Sequence, residues 1–205
     1  MRGVYAAKPW FVRRLARLEN AFVRRGVSAN SITLGAVAVS VVGGTLLALG
    51  GLVGEPRLWL FVPPLAVARL ALNALDGSVA RRSGTTGPFG VVTNELGDRL
   101  QEAALMAPLA LVVSPVLAVG ALAASFLTST CGLLGQTVGG ERLTTGPAGK
   151  ADRVLLLASG SLVAGLAGDE TPLGIALGLV LAGSCVTVVL RVAALRRMAG
   201  GPDVR

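Results

Sequence analysis

The sequence predicts an all-α, polytopic membrane protein with six transmembrane helices preceded by an amphipathic surface helix. Three observations carry this. The mean hydropathy is +0.71, with 53% hydrophobic and 15% charged residues, against roughly 25% charged in a soluble domain. Several apolar runs reach the roughly 20 residues that a membrane helix needs, rich in Leu, Ala, Val and Gly and without the alternation of barrel strands. The basic residues fall in alternate loops.

Residues 8–26 set Trp10, Phe11, Leu15, Leu18 and Phe22 at helical spacing. Arg13, Arg14, Arg17, Arg24 and Arg25 fall largely between them, which suits a helix lying on a membrane surface. Ser28 or Asn30 can cap the next helix, and the first span covers residues 31–52. After a short loop with Glu55, Pro56 and Arg57, the second span covers 58–80, its last third carrying Arg69, Asn73 and Asp76. A polar, Gly-rich link, RRSGTTGPFG, occupies 81–90.

The third span, 91–113, is polar in its first half (Asn94, Glu95, Asp98, Arg99, Gln101, Glu102) and apolar in its second. Ser114 and Pro115 mark a turn into the fourth span, 116–138. A second polar link, GGERLTTGPAGKADR, precedes the fifth span, 154–167, which is short unless it extends back through Lys150. The sixth span is 173–195, with a basic tail over 196–205. The whole chain, 1–205, then forms a single membrane domain with its bundle at 31–195.

Charge orients the bundle. Basic residues crowd the N-terminal segment, the 81–99 region, the 141–153 link and the tail, whereas the opposite loops hold only Glu55, Arg57, Asp169 and Glu170. The positive-inside rule puts both termini and both polar links on the cytoplasmic side of a cell membrane, inner or plasma. No cleavable signal peptide is expected. The net charge of +8 is thereby assigned to orientation and to membrane lipids, and no signature of nucleic-acid binding is read in the basic segments. With no His, a His base or His metal site is excluded, and Cys131 and Cys185, both in apolar runs, read as packing residues. Trp10 and Trp59 read as interface anchors.

Ionisable groups inside spans are costly and therefore functional candidates. Asn73 and Asp76 stand at i, i+3 and Asn94 and Asp98 at i, i+4, so each pair shares a helix face. The short link makes the two helices antiparallel neighbours, and the faces can meet at one depth. Four oxygen-bearing side chains suit Mg²⁺ or Mn²⁺ holding a diphosphate. Gly77 and Gly90 allow close approach of backbone or ligand.

The stretch NALDGSVARRSGTTGPFGVVTNELGD resembles the signature of the CDP-alcohol phosphotransferase family, D-x-x-D-G-x-x-A-R, eight residues, G-x-x-x-D-x-x-x-D. Asp76, Gly77, Ala80, Arg81, Gly90 and Asp98 fit it, gap included. The resemblance implies six membrane helices, an N-terminal surface helix and, as often in the family, a second copy as partner. It implies a metal site at Asp76, Asn73, Asn94 and Asp98, with Asp98 also the general base on an acceptor hydroxyl. Gly77, Ala80, Arg81 and Gly90 would form the nucleotide pocket. Lys150 and Arg153, three residues apart at the start of the fifth span, could bind a phosphate of acceptor or donor; ordinary lipid-facing charge is the alternative reading. For Arg142, Arg191, Arg196 and Arg197 the lipid-facing reading is preferred.

The implied reaction moves a phosphoalcohol, with CDP-diacylglycerol as the expected donor, to an alcohol hydroxyl and releases CMP, a step of phospholipid biosynthesis. The pattern's first and third acids, however, are Asn73 and Asn94. Three consequences are open: one metal with the amides as neutral ligands, a contribution from Glu95 or Glu102, or lost catalysis in a CDP-lipid-binding protein. Asp76 and Asp98 could alternatively pair structurally with Arg69, Arg81 or Arg99. A small transporter is disfavoured, because the polar residues stay within one third of the membrane depth.

Overall fold

The computed structural model describes residues 8–199, with side chains from residue 15 onward. Residues 1–7 and 200–205 lie outside the described residues, as do the side chains of Trp10, Phe11, Arg13 and Arg14. The described chain is all helical: α1 (Lys8–Arg24), α2 (Ala29–Leu52), α3 (Val62–Arg82), α4 (Pro88–Met106), α5 (Pro115–Thr137), α6 (Lys150–Ala167) and α7 (Thr171–Ala199). Two 3₁₀ segments, Pro56–Phe61 and Ala107–Leu111, lead into α3 and extend α4.

The helix boundaries follow local chemistry. The Ser28 hydroxyl accepts from the Ser31 amide at 3.1 Å and starts α2, and Ser114 does the same for α5 through Leu117. Pro88 and Pro115 open α4 and α5, where a missing N–H costs nothing. Asp152 accepts from the Gly149 amide at 3.0 Å, so α6 begins at Lys150 rather than later. Gly168 closes α6 at φ +75°, a left-handed backbone that favours glycine.

Helix α2 packs against both α3 and α4, α7 against both α5 and α6, and α3 against α6. The α2–α4 seam is close because it is built on glycine. A Cβ at Gly44 would lie 1.9 Å from the Ala104 carbonyl oxygen, and one at Gly97 would lie 2.4 Å from the Thr33 methyl. The apolar core (Leu47, Val62, Met106, Leu109, Leu157, Leu173, Leu177) fills the end of the bundle away from the two polar links. Trp59 belongs to it: the indole is 2% exposed and donates to the Leu47 carbonyl at 3.0 Å, so it is a core residue and not an interface anchor.

Four segments are long and apolar enough to cross a membrane: Ala29–Leu52, Pro56–Arg82, Pro115–Thr137 and Thr171–Ala199. Helices α4 and α6 fall outside that set because each concentrates charge, Glu95, Asp98, Arg99 and Glu102 on one and Lys150, Asp152 and Arg153 on the other. Helix α1 docks on the chain itself: Leu15, Phe22, Val23 and Val27 pack on Ile32, Leu75 and Val79, while Leu18 stays half exposed. Arg82 fixes this docking through Asn20 at 2.6 Å and Glu19 at 3.5 Å. The segment after Arg191 continues α7 as far as Ala199.

Candidate functional site

Helices α3 and α4 both pack on α2 rather than directly on each other, and the short link between them brings their polar turns to the same end of the bundle, near the start of α6. Asp76 is 4% exposed. One of its carboxylate oxygens accepts from the Thr33 hydroxyl at 3.0 Å, and the other from the Gly77 amide at 2.6 Å. Thr33 in turn sits over Gly97, so the bare glycine on α4 gives the hydroxyl its place. Asp98 is 5% exposed and forms an ion pair with Lys150. The Lys150 and Asp98 charges both act on Asp76, which puts the three groups in one electrostatic neighbourhood.

One turn deeper lies an amide cluster. Asn73 and Gln101 bond reciprocally, Asn73 Nδ2 donating at 2.8 Å and Gln101 Nε2 returning a bond at 3.2 Å. The Arg69 Nε donates to the same Gln101 oxygen at 2.9 Å. Its Nη1 and Nη2 are buried and have no hydrogen-bond partner. The charges of Glu102 and Asp98 act on this guanidinium.

Arg153, read beside Lys150 either as a phosphate ligand or as a lipid-facing charge, lies in the interior instead. It is 1% exposed, pairs with Glu102, donates to the Ala148 carbonyl at 2.7 Å and reaches Ser129 at 3.3 Å. Its helix position puts it one turn below Lys150, where the bundle is packed and water is excluded. Glu102, a candidate additional ligand, is thus held by Arg153. Glu95, the other candidate, receives Arg99 at 3.1 Å and also pairs with Arg142. Arg142 and Arg191, read from sequence as lipid-facing, make protein contacts. Arg142 ties the 139–149 link to α4, and Arg191 donates to the Thr145 and Thr128 carbonyls at 2.9 and 2.6 Å.

Of the residues expected in the site, Asp76, Asp98 and Lys150 come together. Asn94 is half-buried one turn before Asp98, and Asn73 is turned into the amide cluster. Gly77, Ala80 and Gly90 are partly exposed and Arg81 is exposed, around the first polar link. Among the described residues, no ion pair of Asp76 or Asp98 with Arg69, Arg81 or Arg99 is formed: Arg69 holds Gln101, Arg99 holds Glu95 and Arg81 is exposed. Sequence reasoning missed Thr33, which no spacing rule links to α3. It also missed the roles of Gln101 and Arg69, although Gln101 stands at i+3 from Asp98 and Arg69 at i−4 from Asn73.

The sequence model of the CDP-alcohol phosphatidyltransferase family matches residues 27–201. The chain is 38% identical over 155 residues to the inner membrane protein YnbA of Escherichia coli (strain K12), covering 75% of this chain and 76% of that protein. It is 28% identical over 215 residues to a phosphatidylinositol phosphate synthase of Streptomyces avermitilis, covering 96% and 84%. The fold is shared with the Mycobacterium tuberculosis phosphatidylinositol phosphate synthase. The crystal structure with CDP-DAG bound aligns at a TM-score of 0.75 and 20% identity, over 94% of this chain and 98% of that one. The same enzyme with manganese and citrate aligns at 0.74, over 92% of each chain.

Proposed function

The chain belongs to the CDP-alcohol phosphatidyltransferase family, and from that premise we propose that it transfers a phosphatidyl group from CDP-diacylglycerol to an alcohol hydroxyl, releasing CMP. The observation that carries this is the burial of Asp76 and Asp98 at the same end of the bundle, on two helices that both pack on α2, with Lys150 paired to Asp98. A solved relative with CDP-DAG bound supports the donor, and relatives named as phosphatidylinositol phosphate synthases make inositol phosphate the first acceptor to try. In the proposed setting α4 and α6 complete six spans, α1 lies at the cytoplasmic surface, and the bundle acts as one domain of a cell membrane. A second copy is a candidate partner.

The donor set fits a hard divalent cation, Mg²⁺ or Mn²⁺. Asp76, Asp98 and the amide oxygen of Asn94 offer oxygen only. No group of three or more His, Cys, Asp or Glu among the described residues could hold an ion alone. The substrate diphosphate would complete the coordination, as Mg²⁺ sites with few carboxylates require. Manganese in a crystal structure of the tuberculosis enzyme supports this assignment. Once bound, the ion would neutralise charge building on the leaving CMP.

The remaining steps fall to the chain's own residues. The acceptor oxygen attacks the phosphorus that bears diacylglycerol. A P–O bond forms there, the P–O bond to CMP breaks, and CMP leaves with that electron pair. Asp98 receives the hydroxyl proton, and Lys150 holds its carboxylate in place and offers charge to an acceptor phosphate. Arg153, bound to Glu102, anchors the start of α6 and so fixes Lys150. Gly77, Ala80, Arg81 and Gly90 would line the nucleotide.

The test is CMP release from CDP-diacylglycerol by the full chain in lipid, with a pool of alcohols. Release should require Mg²⁺ or Mn²⁺ and fall by about 10²–10⁴-fold in Asp98→Asn. Release unchanged in that variant would overturn Asp98 as base. A second reading, a CDP-lipid-binding protein without turnover, is favoured by the engagement of Asn73 with Gln101. Binding of CDP-diacylglycerol without release from any alcohol would establish it.

A further inference from the structure

The fate of the missing acids can be followed in the hydrogen bonds. Asn73 stands where the family pattern has its first acid. Both ends of its amide are used by Gln101, and the same Gln101 oxygen carries Arg69. Arg69 is 2% exposed and otherwise unpartnered at both Nη atoms, so a fixed positive charge is buried directly behind the first ligand position.

Charge balance extends the argument. Around Asp76 and Asp98 the facing turns of α3, α4 and α6 bring three acids, Asp76, Asp98 and Glu102, and three bases, Arg69, Lys150 and Arg153; the buried Glu19 and Arg191 serve the α1 and α7 contacts, and Asp152 caps α6. Glu95, Arg99 and Arg142 lie further out, more exposed and better screened. A diphosphate diester brings one negative charge per phosphate. One divalent cation therefore returns the loaded site to neutrality. A second would leave a double positive charge in a low-dielectric interior, where unpaired charge is most costly. With acids in place of Asn73 and Asn94 the same count would call for two ions.

We propose that this site takes a single divalent cation, and that Arg69, acting through Gln101 on Asn73, fills with a fixed guanidinium charge the place of a second one. Arg69 is a positioning residue here, since it touches neither substrate nor ion. The proposal rests on the function proposed above and specifies the metal content of that same site.

The experiment counts Mn²⁺ bound per chain by electron paramagnetic resonance, on the full chain in nanodiscs saturated with CDP-diacylglycerol. One uncoupled Mn²⁺ per chain is expected. Two ions with a spin-coupled signal would overturn the single-ion inference and leave the function standing. No bound Mn²⁺ would overturn the metal reading of the function, and this inference with it. The part played by Arg69 is read in a second pair, Asn73→Asp/Asn94→Asp with and without Arg69→Met. Removing the guanidinium should tighten binding of a second Mn²⁺ by about tenfold or more, from the Coulomb energy of a nearby unit charge. Equal second-ion affinity in the two backgrounds would overturn the role of Arg69.

Discussion

Lys150 separates two roles that a basic residue near a phosphate site can have. Its ammonium is paired with Asp98, and its side chain is 22% exposed, so it can also meet a ligand. Lys150→Met should lower kcat/KM for a phosphorylated acceptor by about tenfold more than for an unphosphorylated one, since a charge-assisted bond to phosphate is worth about 1.5–3 kcal/mol. Steady-state kinetics with inositol phosphate and inositol checks this, and equal losses would leave Lys150 only the task of holding Asp98. At this scale the sequence was legible where side chains repeat on one helix face. Asp76 and Asp98 were found that way, through i, i+3 and i, i+4 spacing on two helices joined by a short link. Thr33 was not legible, because its bond to Asp76 depends on the α2–α3 packing distance, which no local pattern encodes. Arg153 was misread for a related reason: three residues on a helix is enough to share a face with Lys150, yet one turn of depth exchanges solvent for packed interior.

The helices carry predictions of their own. Arg153 holds α6 to α4 through Glu102, and both are nearly fully buried, at 1% and 2% exposure. Arg153→Met leaves an unpaired buried carboxylate and should cost about 3–5 kcal/mol, measured by denaturant titration in micelles. Adding Glu102→Leu should recover most of that loss, because a buried pair replaced by apolar side chains is often neutral. Gly97→Ala would set a methyl 2.4 Å from the Thr33 methyl and displace the hydroxyl that holds Asp76. Turnover should fall together with stability, because Thr33 is β-branched and stiff and lies on the close α2–α4 seam; an unaltered kcat would detach Thr33 from the site. The helices were legible to within several residues at their ends, since apolar length and the punctuation at Ser28, Ser114 and Gly168 are local signals, and four of the segments are long and apolar enough to cross a membrane. The start of α6 was placed by its charges only as an extension, and the 3₁₀ segments, set by tertiary packing around Trp59 and Leu109, left no separate trace.

For the whole molecule, the polar groups gather at one end and the apolar core at the other, with the basic links over the polar end. The proposed topology predicts that Glu170→Cys, in a Cys131→Ser/Cys185→Ser background, is labelled in intact cells by a membrane-impermeant maleimide. Gly84→Cys should be labelled only after the membrane is opened; labelling of both in intact cells would refute the orientation. The clustering of charge in the two links made this polarity of the bundle readable from sequence, whereas docking of α1 onto α3 was not, since an amphipathic face suits lipid and protein equally. Placing all the chemistry at one end has a consequence for the bilayer itself. A donor drawn from the cytoplasmic leaflet would yield a product anchored by the same two acyl chains in the same leaflet. Each turnover would then alter headgroup identity and surface charge while leaving the number of lipids in each monolayer, and so its area and curvature stress, nearly unchanged.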